Sequence, residues 1–100
     1  MTYEVVFDPG AEADLDDEEQ YLAARFSERT AHSYIQRVIR FCLSLASAPH
    51  CGTRRDYVRP GMRTVGFERR ATILFEVLPG KVVILGVLFG GRQIRSSQAR

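Results

Sequence analysis

The chain has 100 residues, of which 45% are apolar and 26% charged, and a formal net charge of +2. That is the length of one domain and too apolar for a disordered chain, and no run approaches the ~20 apolar residues that span a bilayer. The opening residues carry no basic stretch followed by an apolar one, so no signal peptide is expected and the cytoplasm is the expected compartment.

The small net charge conceals an uneven distribution. Residues 1–28 hold nine acids and one base, and residues 29–100 hold thirteen bases and three acids, so −8 and +10 sum to +2. All but one of the fourteen bases are Arg. A guanidinium presents a flat fork that pairs with carboxylate or phosphate through two hydrogen bonds. The C-terminal part is therefore expected either to meet an anionic partner or to form a solvated basic face. Cys42 and Cys51 are too few for a disulfide framework and match no zinc spacing with His32 and His50, so both are expected as free thiols with no metal site.

Tyr3, Val5 and Phe7 alternate with Glu4 and Val6, which predicts a first strand. Asp8-Pro9 then reads as a helix cap followed by Pro at the first helical position. Ala11, Leu15, Leu22 and Phe26 recur at helical spacing and predict a helix over 10–26. Ser27 is placed to cap a second helix. Its buried face is written by Ala31, Tyr34, Ile35, Val38, Phe41, Cys42 and Leu45, and Pro49 is its expected stop. The short link implies a helix hairpin.

Residues 49–61 form a loop rich in Pro, Gly and Arg, and three strands follow, over 62–68, 71–78 and 82–89. Pro79-Gly80 supplies a tight turn between the last two. The last strand, "VVILGVLF", is apolar on both faces. The order β-α-α-β-β-β predicts an α+β domain over 1–100, with a helix hairpin on one face of a mostly antiparallel four-stranded sheet and a short polar tail from about 92.

The chain resembles the RelE/ParE superfamily of toxins from type II toxin–antitoxin systems. The likeness rests on "VVFDPGAEADLDDEEQYL", with Ala11, Asp14 and Leu15 in the family's Ala-x-x-Asp-Leu position, on "RPGMR", on "RRATILFEVLPGKVVILGVLFGGR", and on the order of elements. It implies one of two activities. ParE-type members bind DNA gyrase and trap it on cleaved DNA; RelE-type members are ribonucleases that cut mRNA, usually on the ribosome. Both are neutralised by a cognate antitoxin whose C-terminal segment folds onto the toxin, giving a toxin–antitoxin hetero-oligomer. Neither needs a cofactor.

RNA cleavage through the 2′-hydroxyl needs a base, cations for the phosphorane charge and an acid for the leaving oxygen. Arg, with a pKa above ~12, supplies only the cations. RelE-type nucleases commonly carry Tyr or His near the C-terminus and Lys in the loop before the sheet; "LFGGRQIRSSQAR" has Phe89 in that stretch, and "TRRDYVRPG" has no Lys. His50 and Tyr57 remain. They are read first as a helix-end residue and a half-buried loop anchor.

The ParE-type reading is therefore preferred. Arg54, Arg55, Arg59, Arg63, Arg69, Arg70 and Arg92 are the expected contacts to target or antitoxin. If the chain is a ribonuclease, Tyr57, Arg63 and Arg92 are the expected catalytic set. A third reading is an antitoxin-binding module without toxicity. Gly90-Gly91 end the last strand, and the resemblance sets Arg92 near the surface that meets antitoxin or target, while Arg95 and Arg100 are expected in water. Tyr3, Val5, Phe7, Phe67, Phe75, Val83 and Leu85 exceed what two helices need on one face. Most are expected in the protein's own core, with the surplus on "VVILGVLF" left for an antitoxin helix to cover.

Overall fold

A computed structural model describes residues 3–90. Its elements are β1 (Glu4–Phe7), α1 (Pro9–Arg25), α2 (Glu28–Ser44), β2 (Thr53–Arg54), β3 (Met62–Phe67), β4 (Ala71–Leu78) and β5 (Lys81–Phe89). Arg92, Arg95, Arg100 and the tail lie outside the described residues.

Both helix starts follow from their caps. The Asp8 carboxylate accepts the Gly10 amide at 3.0 Å with Pro9 in the first turn, and the Ser27 hydroxyl accepts the Thr30 amide at 3.0 Å. The α2 end differs from expectation. The helix stops at Ser44, whose hydroxyl donates to the Phe41 carbonyl in competition with the helical ladder. The amides of Leu45, Ala46, Ser47 and Ala48 then bond three residues back, so Pro49 ends a run of tight turns and not the α-helix itself.

The sheet has five strands in the order β1-β5-β4-β3-β2, where four were expected. The added strand is the two-residue β2, antiparallel to Arg63 and Thr64 of β3. A pair this short has no periodicity to read; it exists because the loop folds back onto β3. Gly52 permits that approach, with φ +79 and the Thr64 carbonyl oxygen only 2.3 Å from where a Cβ would stand. The sheet is also mixed, since β1 runs parallel to β5 while the other three pairings are antiparallel. The chain leaves β1, crosses one face as the helix hairpin, starts again at the far edge and returns strand by strand to β1's side.

The helix-facing core gathers Leu15, Leu22, Ile35, Val38 and Cys42 from the hairpin with Ile73, Phe75, Val82, Ile84, Val87 and Phe89 from the sheet. Tyr3, Val5, Phe7 and Phe67 pack at its margin, Phe67 stacked on Phe41 with centroids 4.8 Å apart. Full burial of one such side chain, Phe75 for instance, stabilises by about 2–3 kcal/mol.

Four of these core residues lie on β5 as two pairs, Val82 with Ile84 and Val87 with Phe89, which strict alternation would place on opposite faces. A bulge reconciles them. Phe75 pairs with Ile84 but Leu74 with Gly86, so Leu85 is an extra residue that resets the phase. Val83, Leu85 and Leu88 then face the other side and cluster with Met62, Leu74 and Val58. Leu85 and Leu88 are buried within the chain itself, which corrects the expectation that this surplus awaits an antitoxin helix.

The Ala-x-x-Asp-Leu positions explain how the bulge is held. Ala11 and Leu15 are buried in the core, and Asp14, also buried, accepts the Val87 amide at 3.0 Å. Asp14→Ala would strand that buried donor. It is expected to destabilise the fold by about 1–3 kcal/mol, read as a lower urea midpoint.

The β3–β4 turn carries a different tension. Glu68 and Arg69 both have positive φ, 52° and 63°, without being glycine. Arg69→Gly is expected to raise stability by about 0.5–1 kcal/mol, measured by the same unfolding experiment. An unchanged or lowered midpoint would show that the turn holds no such strain.

Candidate protein-binding surface

The sequence groups its arginines as one basic half; the structure divides them. Arg54, Arg55, Arg59 and Arg63 surround the β2–β3 loop. Arg69 and Arg70 sit on the β3–β4 turn, beyond the other end of β3, roughly 20 Å along the strand at ~3.3 Å per residue. They do not form one site.

Within the loop, each guanidinium has an internal partner. Arg54 pairs with Asp56 at 2.7 Å, and Arg59 with Glu76 at 3.2 Å. Arg55 donates to the Thr64 hydroxyl at 3.0 Å, and from its other arm to the Tyr57 hydroxyl at 3.4 Å. Arg63 donates to the backbone carbonyls of Cys51 and His50. Arg54 and Arg63 stand directly opposite in the β2–β3 ladder, where like charges repel. Asp56 on one side and two carbonyls on the other draw them apart. Asp56 also accepts the Gly61 amide at 3.0 Å; that bond first, and the Arg54 contacts after it, hold its carboxyl below the ordinary carboxylate range.

Tyr57 stands at the tip of this frame and is 80% exposed, which corrects its reading as a half-buried anchor. His50 is likewise no helix-end residue, because α2 finishes at Ser44; it meets Tyr3 edge-on at 6.2 Å. Asp56 and Glu76, which set the loop's geometry, were missed in the sequence. Asp56 was legible as the single acid in "TRRDYVRPG", whereas Glu76 gives no signal before the strand register is known.

The β3–β4 turn is tied to α2. Arg37 makes a two-armed contact with Glu68, at 3.0 and 3.2 Å, and lies over the Tyr34 ring at 5.4 Å. The shared hydrogen bond is the main cause both of the raised Arg37 pKa and of the lowered Glu68 pKa. Tyr34 is buried, its ring edge-on to Phe89 at 6.2 Å, and its hydroxyl has no hydrogen-bond partner. Burial pushes its pKa up. Arg37, Glu68 and Tyr34 were also missed; a pair separated by 31 residues is invisible to spacing.

Both cysteines are free, and burial pushes the Cys42 thiol up to about 12. Among the described residues no group of three or more His, Cys, Asp or Glu could hold a metal ion, and no helix is long and apolar enough to cross a membrane.

The geometry is that of a small α+β domain presenting a braced, arginine-rich loop and, at the other end of β3, a turn tied to α2 by Arg37. A profile of the ParE toxin of type II toxin–antitoxin systems matches residues 5–94, and the chain belongs to that family. Among solved structures it is similar to a chain of the chromosomal ParDE system from P. aeruginosa, with TM-score 0.77 and 22% identity over 88% of this chain and 96% of that one. It is also similar to a chain of the RelBE2 toxin–antitoxin complex from Mycobacterium tuberculosis, with TM-score 0.63 and 22% identity over 89% and 99%. Comparison with curated protein sequences finds no match. The protein is thus a member of the ParE toxin family with the fold that both of these structures share.

The Asp56 contacts give a pH dependence. A carboxyl whose pKa is depressed on folding stabilises above its unfolded value of ~3.9 and loses that contribution as pH falls through the folded value. The protection factor of the Gly61 amide, its exchange rate set against the intrinsic rate at the same pH, is therefore expected to fall on acidification below about pH 4. In Asp56→Asn, that step should disappear while the rest of the fold retains its exchange pattern.

Proposed function

We propose that the chain acts as a ParE-type toxin: it binds DNA gyrase, holds it on cleaved DNA and arrests bacterial growth without an active site of its own. A cognate antitoxin with an acidic C-terminal segment neutralises it in a hetero-oligomer. The observation that carries this reading is the loop: four guanidiniums occupied by internal partners, with Tyr57 projecting at 80% exposure. An aromatic residue on a rigid, arginine-framed loop suits a protein hot spot. Phosphate chemistry asks for cations already aimed at the place where charge develops, and here Arg54 and Arg59 are aimed at carboxylates of the chain itself. The antitoxin follows from family membership, and both similar structures come from toxin–antitoxin systems.

One observation favours the ribonuclease reading. The Arg55 guanidinium donates to the Tyr57 hydroxyl at 3.4 Å, which places a cation beside a group able to exchange a proton.

The deciding experiment incubates the protein with gyrase, ATP and relaxed plasmid and measures protein-linked linear DNA after detergent and protease. Linear DNA should rise with toxin and vanish without gyrase. Tyr57→Ala should weaken the effect by about tenfold or more, the size of a hot-spot loss. No cleaved DNA from a preparation that still arrests growth would overturn the gyrase reading, and cutting of ribosome-bound message would replace it.

A further inference from the structure

A groove of ≈ 500 Å³ lies between the helix hairpin and the β3–β4 turn. Leu22 and the 60%-exposed Phe26 give it an apolar wall. Arg29, Arg37 and Arg70 line it with positive charge, against one lining carboxylate, Glu68. Tyr34, buried to 7% exposure, lines it too, and its hydroxyl is unpartnered. A buried hydroxyl with no partner in the protein offers a hydrogen-bond donor to a group that enters the groove.

We propose that this groove receives a segment of a protein partner in which a carboxylate neighbours an aliphatic side chain, and that the incoming carboxylate takes Arg37 from Glu68. The aliphatic group lies against Leu22 and Phe26. The carboxylate accepts from the Tyr34 hydroxyl and from Arg37. The exchange is favoured by the turn that carries Glu68. Glu68 and Arg69 hold a backbone conformation that L-residues rarely adopt, and the two-armed bond to Arg37 helps to fix it. Releasing Glu68 lets that turn relax, so part of the strain offsets the loss of the internal ion pair. The excess of guanidinium over carboxylate selects an acidic partner over a basic one.

This inference rests on the reading of the chain as a toxin held by a protein partner, and adds where such a partner docks and what it displaces. The test is fluorescence anisotropy with the full chain and a labelled peptide of repeated Glu-Leu-Leu-Glu units, with the same peptide carrying Lys for Glu as control. The acidic peptide is expected to bind and the basic one not. Tyr34→Phe is expected to bind about tenfold more weakly while its melting temperature holds or rises, because the hydroxyl it removes has no partner in the free protein. Arg37→Gln should weaken binding similarly. Glu68→Gln should tighten it about threefold, the scale of one exposed ion pair. A purely structural Glu68–Arg37 contact gives the opposite sign.

Equal affinity in wild type and Tyr34→Phe, binding of the basic peptide, or weaker binding by Glu68→Gln overturns the proposal. So does a dimer that Tyr34→Phe dissociates, which would make a second copy the occupant. Growth arrest without peptide binding overturns the groove alone. Peptide binding by a chain that neither arrests growth nor traps gyrase supports the groove and removes the proposed gyrase activity.

Discussion

The hydrogen bond from the Val87 amide to the Asp14 carboxylate sits where helix and sheet must agree on which way β5 faces. β5 enters with Val82 and Ile84 toward the hairpin and must leave with Val87 and Phe89 on that same side. Only an extra residue achieves this, and Leu85 is that residue. The helix holds the irregularity from both sides, since the Asp8 amide donates to the Ile84 carbonyl just before it and Asp14 accepts from Val87 just after. Without the bulge, Phe89 would turn away from Tyr34 and the arginine-lined groove would lose one of its supports.

The same economy of partners governs the arginines. The domain holds more guanidinium than carboxylate beyond residue 28, yet Asp56, Glu68 and Glu76, all the acids of that half, each pair with an Arg. These exposed or half-exposed pairs add little stability one by one. Their effect is positional: they fix a loop at one end of β3 and a turn at the other. A basic half of the sequence becomes two surfaces of different design, one braced around an exposed tyrosine, the other built on a single exchangeable ion pair.

Much of the fold was legible in the sequence. Asp8-Pro9 and Ser27 announce their helices because capping is a local affair, and Pro79-Gly80 announces its hairpin, with Gly80 at φ 70. The family resemblance pointed to Asp14 but not to what it does. The bulge was hidden because "VVILGVLF" is apolar on both faces, so a change of phase leaves no trace in its pattern. β2 was hidden because two residues have no period. At the candidate surfaces, the arginines were visible as a residue type but their partners were not. Arg63 against two carbonyls, Arg59 against Glu76 and Arg37 against Glu68 all depend on register and tertiary approach, and Tyr57 was misjudged because loop burial is decided by how the loop folds back.

The parallel pairing of β1 with β5 has a consequence for how the protein comes into being. β1 is synthesised early, yet its hydrogen-bonding neighbour is Lys81–Phe89, and the ladder Glu4–Lys81 to Phe7–Ile84 spans most of the described chain. Long-range strand pairing is slow, and a nascent chain emerges from its N-terminus. On the ribosome the hairpin helices therefore wait with the sheet unfinished, and neither the bulge nor the groove beside Phe89 exists until β5 has cleared the exit tunnel. Any surface that depends on β5, the groove beside Phe89 included, is therefore presented to a partner only after the last strand has joined the first.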